Sequence, residues 1–316
     1  MQSRAFNTVL VDSLNKKITK SSVNKKKLKD EINYYLALPK SINSFFPELL
    51  NYSPDYSMYT MEYYPSKNLA DLMFNSGISL NDGTDILTRL LVIADQIHSI
   101  KPEPSLELSI SSFYIKKTIE RLSLMQNNSG FSELARTSCL SINGTIYRNF
   151  NTLKSDFIEL IEDYSKDCTL TGMHGDFCFS NILYSPNSKM IKLIDPRGSF
   201  GLSGIYGDKH YDFAKIMHCL HGKYDYLVND IFYLEETEPL TYKFDMPRNL
   251  LLNGLHDFYV DQLIKKGLNL DYIYLIEASL FLSMVPLHYE NKMRQKALYL
   301  NGLIILNQVI NGHYRN

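Results

Sequence analysis

The sequence lacks the features of a secreted, membrane-spanning or disulfide-stabilised protein. Its four cysteines show no CxxC spacing and no dense framework, which predicts a reducing compartment. The N-terminal residues MQSRAFNTVL contain no apolar signal-peptide region. The longest apolar runs, LLVIA and GLIIL, are far too short to cross a bilayer. We therefore expect a cytoplasmic protein with no membrane span.

The sequence also lacks an excess of charge of either sign. Lysine and arginine total 33, aspartate and glutamate total 34, and the formal net charge is −1. Bulk nucleic-acid binding needs a strong positive field, so we expect no nucleic-acid partner. With 45% hydrophobic and 21% charged residues, the composition is that of an ordinary soluble globular protein. The length of 316 residues suits one large domain or two lobes.

The first 64 residues contain a pattern of short strands and one helix. Residues 8–12 and 16–22 are predicted to form two strands joined by a polar turn, and residues 46–52 and 57–64 two more. Residues 26–38 carry apolar side chains at helical spacing, and a proline ends this segment. The pattern predicts a small antiparallel sheet with one helix.

The rest of the chain is mostly helical in pattern. Helices are predicted at 84–100, 153–167, 247–267, 271–284 and 292–310. Asn143-Gly144 predicts a tight hairpin, and residues 181–195 predict two strands around a Pro-Asn-Ser turn. We therefore expect an α+β fold with a small N-terminal lobe (1–64) and a larger, mainly helical C-terminal lobe (65–316).

One polar loop between predicted strands carries the residues that phosphoryl transfer requires. In HGDFCFSN (174–181), Asp176 precedes Asn181 by five residues, and Asp195 ends the next strand pair. A carboxylate that accepts a hydroxyl proton, together with oxygen ligands for Mg²⁺, is sufficient for this chemistry. Aspartate and asparagine also form ordinary polar turns. A turn alone does not account for Asp195 or for the hinge-like segment upstream.

These residues and three further segments resemble a known family. HGD…N at 174–181, ID at 194–195, YTMEYY at 59–64 and GDKHYDFAK at 207–215 are similar to motifs of the aminoglycoside phosphotransferase and choline kinase group. The resemblance extends over most of the chain. It implies a protein-kinase-like two-lobe fold and transfer of the γ-phosphoryl group from ATP, or from GTP, with Mg²⁺. LFLSMVPLHYENKMRQKALYLNGL also resembles C-terminal helices of capsule-biosynthesis members.

The resemblance assigns roles to individual residues. Asp176 is expected to be the catalytic base, with Asn181 and Asp195 as Mg²⁺ ligands. Lys20, one of seven lysines in this region, matches the lysine that contacts the phosphates, and Glu31 matches the glutamate that holds it. The backbone of the hinge, residues Met61, Glu62, Tyr63 and Tyr64, is expected to hold adenine. His174 is expected to brace the loop, with Asp212 as its partner, and Arg197 either contacts substrate or phosphate or pairs with an acid.

The sequence departs from the kinase pattern in two places. No glycine-rich phosphate loop is present, and the strand that should precede it is missing, so Gln2–Asn7 would have to form that loop. Either the N-terminal lobe is naturally minimal or its start is truncated. The loop also reads His-Gly-Asp rather than His-Arg-Asp, and no Ala-Pro-Glu follows Asp195. We therefore do not expect a protein kinase.

The acceptor is expected to be the hydroxyl of a small molecule. A sugar or polyol is favoured by the capsule resemblance, and Arg197, His288 and Arg294 would suit an anionic or sugar-phosphate acceptor. Choline, ethanolamine or an aminoglycoside would use acidic and aromatic groups, for which Glu235, Glu236, Glu238 and 23 tyrosines are candidates, although tryptophan is absent. Two alternatives are a catalytically silent nucleotide-binding or scaffold protein and a kinase that acts on a protein partner.

Overall fold

The computed structural model describes residues 7–74, 77–106, 108–125 and 131–314. In chain order the strands are β1 (Asn7–Asp12), β2 (Lys17–Ser22), β3 (Leu49–Tyr52), β4 (Met58–Glu62), β5 (Lys67–Asn68), β6 (Cys139–Ile142), β7 (Thr145–Arg148), β8 (Thr171–Gly172), β9 (Ile182–Ser185), β10 (Met190–Leu193), β11 (Ser199–Phe200), β12 (Leu202–Ser203), β13 (Tyr206–Gly207), β14 (Tyr233–Glu238) and β15 (Thr241–Asp245). The helices are α1 (Lys25–Leu36), α2 (Leu69–Phe74), α3 (Leu80–His98), α4 (Ile110–Ser123), α5 (Ser132–Arg136), α6 (Phe150–Ser165), α7 (Lys209–Leu220), α8 (Tyr224–Val228), α9 (Leu250–Lys265), α10 (Leu270–Met284) and α11 (Lys292–Ile310). Of the loop predicted at Gln2–Asn7, all but Asn7 lies outside the described residues.

The chain divides into two compact units, each made of two chain segments. Unit 1 comprises Met1–Leu108 and Thr169–Asp212, and unit 2 comprises Ser109–Cys168 and Phe213–Asn316. The boundary at residues 64 and 65, expected from the sequence, stays a prediction. Every residue expected to act on nucleotide or metal belongs to unit 1.

The N-terminal sheet of unit 1 is antiparallel, in the strand order β1-β2-β4-β3. The turn between β1 and β2 is stabilised by the Asp12 carboxylate, which accepts the Asn15 amide at 3.0 Å. The four strands predicted for this region are thereby confirmed. The register places Lys20 of β2 opposite Tyr59 of β4, in the middle of the sheet.

Helix α1 follows this hairpin and buries one face. The Asn24 side chain caps its N-terminus by accepting the Lys27 amide at 3.1 Å. Of the apolar face predicted at Leu28, Ile32, Tyr35 and Leu36, the first three residues are buried and Leu36 is exposed. The buried face also includes the carboxylate of Glu31. A buried carboxylate needs a charged or hydrogen-bonding partner, and Lys20, the buried lysine of β2, is the candidate.

The second segment of unit 1, Thr169–Asp212, contains residues 174–181, here called the HGD loop, between two small sets of paired strands. β8 pairs with β13, and the β9–β10 hairpin extends through β5. The loop runs from β8 to β9 and ends in a 3₁₀ turn at Phe179–Asn181. The two strands predicted within residues 181–195 are confirmed.

Unit 2 is built around α10, whose residues from Asp271 to Met284 are all buried. This apolar segment, extended to His288, is long enough to cross a membrane, but 89% of its apolar window is buried inside the protein. A core helix has the same length and composition, so this single candidate is weak evidence for a membrane span.

Unit 2 also contains a sheet that the sequence predicted only in part. The hairpin at Asn143-Gly144 is confirmed, with φ of 52° and 79° at these residues joining β6 to β7. β14 and β15 form a second hairpin in a part of the chain for which no strand was predicted. β15 then pairs in parallel with β6, which gives the strand order β14-β15-β6-β7.

Candidate active site

Lys20 lies at the centre of a buried charge cluster in unit 1. Its Nζ is 2.7 Å from Glu31 Oε2 and 3.0 Å from Asp195 Oδ1. Tyr59, opposite Lys20 in the sheet, donates its hydroxyl to Glu31 Oε2 at 3.2 Å. The lysine and glutamate side chains are only 6% and 1% exposed. Lys20 therefore lies between Glu31, its expected partner, and Asp195, a residue expected to bind Mg²⁺.

The charge state of this cluster follows from burial and from its neighbours. Burial by itself lowers the pKa of Lys20, but the carboxylates of Asp195 and Glu31 outweigh it, and the pKa is raised. Burial also raises the pKa of Glu31, and the Lys20 ammonium group counteracts this effect. Lys20 is thus a firmly protonated ammonium group that faces the oxygens of Asp195.

The HGD loop brings Asp176 and Asn181 into direct contact. Asn181 Nδ2 donates to the backbone oxygen of Asp176 and to its Oδ2, both at 2.9 Å. Asn181 is buried, whereas Asp176 is partly exposed. The carboxylate that is expected to meet a substrate hydroxyl is therefore held in place from the protein side.

Asp195 is joined to this loop by the backbone on both sides. The Ile194 amide donates to the Asn181 oxygen at 3.0 Å, and the Arg197 amide donates to the His174 oxygen at 2.9 Å. Asp195 itself has a φ of 53°, in the left-handed region that few residues other than glycine adopt. Such conformations persist where the surrounding structure imposes them, often at functional sites. The bond from Lys20 to Oδ1 orients the Asp195 carboxylate on this fixed backbone.

Asn181 and Asp195 carry the type of oxygen ligand that a divalent cation prefers. Because Asn181 uses its Nδ2 for both contacts with Asp176, its amide oxygen remains as a ligand group. Asp195 contacts Lys20 through Oδ1, which leaves its Oδ2 as a second. Mg²⁺ prefers such hard oxygen ligands and takes only one or two from protein when phosphates are also present. The donor set is therefore appropriate for a nucleotide-bound Mg²⁺.

Asp212 anchors the start of the HGD loop. Its carboxylate accepts the His174 amide at 2.8 Å and the Gly175 amide at 2.7 Å. His98, at the end of α3, adds its Nε2 at 3.1 Å. Asp212 therefore holds the backbone of the loop rather than the His174 ring. The contribution of His98 was not predicted, because nothing in the sequence near α3 indicates a partner 114 positions away.

The ring of His174 is buried inside the loop. Its Nδ1 accepts the Asp176 amide at 3.2 Å, and the ring stacks on Phe46 at a centroid distance of 6.0 Å. Burial lowers the pKa of His174, although the Asp212 carboxylate opposes this effect. The neutral imidazole is therefore suited to accept this backbone hydrogen bond. The bracing role expected of His174 stays a prediction.

The lowered pKa of His174 predicts an acid-sensitive stability. As the pH falls through 6.5, the unfolded chain gains a proton at this residue that the folded protein does not take up. The free energy of unfolding should then fall by at most about 1.4 kcal/mol per pH unit because of this group. Urea unfolding at several acidic pH values should show a shallower dependence in His174→Gln. His313→Gln, which changes an exposed histidine, should keep the full dependence; equal slopes in both variants would contradict the argument.

Arg197 packs back onto its own unit. Its Nε donates to the Ser199 oxygen at 2.7 Å, and its guanidinium lies 5.7 Å from the centre of the Tyr211 ring. These two contacts help to orient the side chain. Its contact with substrate or phosphate stays a prediction.

The hinge segment continues β4 beyond the sheet. The amides of Glu62 and Tyr63 already donate to the oxygens of Glu48 and Lys16, at 3.0 and 2.9 Å. Tyr63 and Tyr64 lie past the end of the strand. Because the Tyr63 amide is already bonded to Lys16, we expect the Tyr64 amide to be the one that contacts adenine.

In unit 2, two of the charged groups considered for the acceptor have partners. Glu236 pairs with Lys296 at 2.6 Å, and Arg294 pairs with Asp230 at 2.7 Å. A charged acceptor that binds Glu236 or Arg294 would have to compete with Lys296 or Asp230 for that side chain.

Solved structures with a similar fold cover nearly the whole chain. The ADP-bound aminoglycoside phosphotransferase APH(2'')-Ib is 12% identical, with a TM-score of 0.57 over 98% of this chain and 93% of that one. The streptomycin–ATP complex of APH(2'')-IIa is 12% identical, with a TM-score of 0.55 over 98% and 92%. Ethanolamine kinase of Plasmodium vivax is 13% identical, with a TM-score of 0.53 over 96% and 78%. No family model and no curated protein matches the sequence. At these identities the matches show the fold, and they confirm the expected α+β, protein-kinase-like architecture.

Proposed function

We propose that this protein is an ATP-dependent phosphotransferase that acts on the hydroxyl of a small molecule. The proposal is supported mainly by the backbone hydrogen bonds that connect the Lys20 cluster to the HGD loop. Lys20, Glu31 and Asp195 form one buried cluster, and the backbone on either side of Asp195 is bonded to the loop that holds Asp176 and Asn181. The solved structures of similar fold include ADP and ATP complexes, which supports a nucleotide as the donor.

Each residue has a defined task in this reaction. Lys20 offers its ammonium group to the nucleotide phosphates, while Glu31 keeps it extended towards Asp195. Asp176 orients the acceptor hydroxyl and takes its proton as the oxygen bonds to the γ-phosphorus. The bond from the γ-phosphorus to the bridging oxygen breaks, and ADP leaves with that electron pair. Asn181 and Asp195 would hold Mg²⁺, which neutralises phosphate charge when bound.

The proposed acceptor is the hydroxyl of a small molecule and, more narrowly, of a sugar or polyol. A small-molecule hydroxyl is supported by the fold shared with aminoglycoside phosphotransferases and an ethanolamine kinase. The narrower proposal of a sugar or polyol depends only on the sequence resemblance to capsule-biosynthesis proteins. GTP stays an alternative donor, since a solved structure of similar fold is a GDP complex.

An acceptor screen tests the proposal. The purified protein is first tested for thermal stabilisation by ATP with Mg²⁺, and ATP consumption is then measured with sugars, polyols, choline, ethanolamine and aminoglycosides. We expect stabilisation by the nucleotide and consumption that one acceptor class strongly stimulates.

The same screen distinguishes the alternatives. Nucleotide binding without turnover on any acceptor would favour a silent kinase-fold protein over an enzyme. Transfer of radiolabelled phosphate to protein rather than to small molecules would show a protein kinase instead.

A further inference from the structure

Gly198 lies against the backbone of α1 with no room for a side chain. A Cβ atom on Gly198 would be 2.2 Å from the Asp30 oxygen, 2.4 Å from its carbonyl carbon and 2.9 Å from the Glu31 nitrogen. These atoms form the peptide bond that leads into Glu31. Because they belong to a helix backbone, they cannot rotate out of the way as the end of a side chain could. A side chain at residue 198 must therefore displace either the α1 backbone at Glu31 or the loop that follows Asp195.

A second contact holds the same helix residue. Ser203 donates its Oγ to Asp30 Oδ1 at 2.8 Å. Gly198 and Ser203 belong to one closed loop, since the Gly204 amide donates back to the Gly198 oxygen at 2.9 Å. This loop follows Asp195 by three residues. The chain segment that begins at Asp195 therefore also contacts α1, the helix that carries Glu31.

We propose that Gly198 and Ser203 are positioning residues that clamp α1, so that Glu31 and Asp195 stay in fixed register around Lys20. This role rests on the proposed function, in which Lys20 contacts the nucleotide phosphates. The clamp consists of the tight packing of Gly198 on α1 and of one hydrogen bond, from Ser203 to Asp30. It keeps the Lys20 cluster assembled before the nucleotide binds.

Gly198→Ala tests the clamp, and Gly267→Ala is its matched control. Gly267 has nearly the same φ, +67° against +69°, but its Cβ would meet nothing within 4 Å. Both variants therefore carry the same backbone strain, and only Gly198→Ala pushes on α1. Hydrogen exchange of the nucleotide-free protein should be at least about tenfold faster in α1 of Gly198→Ala than of Gly267→Ala. Equal exchange in α1 of the two variants would overturn the proposal.

Ser203 provides a milder test that does not depend on folding of the glycine variant. Ser203→Ala should accelerate exchange in α1 by about threefold, the scale of one partly exposed hydrogen bond to a carboxylate. Ser203→Thr keeps the hydroxyl on an exposed strand residue and should restore the normal rate. Acceleration in both variants, or in neither, would count against the clamp.

Binding of MgATP separates positioning from general destabilisation. Gly198→Ala should weaken MgATP binding by about tenfold in the normal chain, the scale of moderate overpacking, but have little further effect when Glu31→Gln is already present. The same loss in both backgrounds would show a merely structural role and refute the positioning role. If the unaltered protein binds no MgATP, the proposed function fails, whereas the exchange comparison still decides whether the clamp exists.

Discussion

Asp176→Asn is expected to lower the turnover of ATP by at least about 100-fold, the lower range for the loss of a general base. An amide cannot take the acceptor proton at neutral pH, but it keeps the size and shape of the carboxylate. The side-chain oxygen of the new residue can still accept the bond that Asn181 Nδ2 now gives to Asp176 Oδ2. The bond from Asn181 to the backbone oxygen is unaffected. The loop should therefore keep its conformation while the reaction fails.

The measurement compares steady-state turnover with MgATP affinity in the same variant. We expect affinity within a small factor of the normal value and an unchanged thermal transition. Asp167→Asn, which alters an exposed aspartate in unit 2, should retain normal turnover. Near-normal turnover in Asp176→Asn, with nucleotide binding intact, would remove Asp176 from the role of base and leave the chemistry without its proton acceptor.

The local part of the site could be predicted from the sequence because short-range spacing determines it. Asp176 and Asn181 are five residues apart on one loop, and a hairpin carries the chain from Asn181 to Asp195. Spacing alone could not assign the phosphate-binding role to Lys20, since six neighbouring lysines have the same chemistry. The strand register gives Lys20 the buried central position opposite Tyr59, whereas Lys17 of the same strand is exposed.

The parts that sequence patterns missed depend on contacts between distant residues. His98 meets Asp212 across 114 positions, and Gly198 reaches the Asp30 peptide from a different chain segment. The parallel pairing of β6 with β15 joins strands about one hundred residues apart, and β14 exposes most of its residues, so neither alternation nor helical spacing indicated it. Backbone complementarity of this kind has no signature in composition or periodicity.

Lys20→Met is expected to destabilise the protein by about 3–5 kcal/mol, the usual cost of removing one partner from a buried ion pair. Methionine fills a similar volume but leaves the buried Glu31 carboxylate with only the more distant ammonium group of Lys27, at 3.5 Å instead of 2.7 Å. The exposed side chain of Lys17 provides the control, and Lys17→Met should change the free energy of unfolding by less than about 0.5 kcal/mol. Denaturant unfolding of the two variants measures the difference.

A double variant separates the cost to folding from the cost to function. Lys20→Met with Glu31→Gln removes the buried charge as well as its partner, so the double variant should be no less stable than Lys20→Met alone. MgATP binding should remain lost in both, because neither offers an ammonium group to the phosphates. Additive destabilisation would show that Lys20 and Glu31 do not interact as the 2.7 Å contact implies. Normal MgATP affinity in Lys20→Met would transfer the phosphate-binding role to another of the seven lysines, even if the stability result holds.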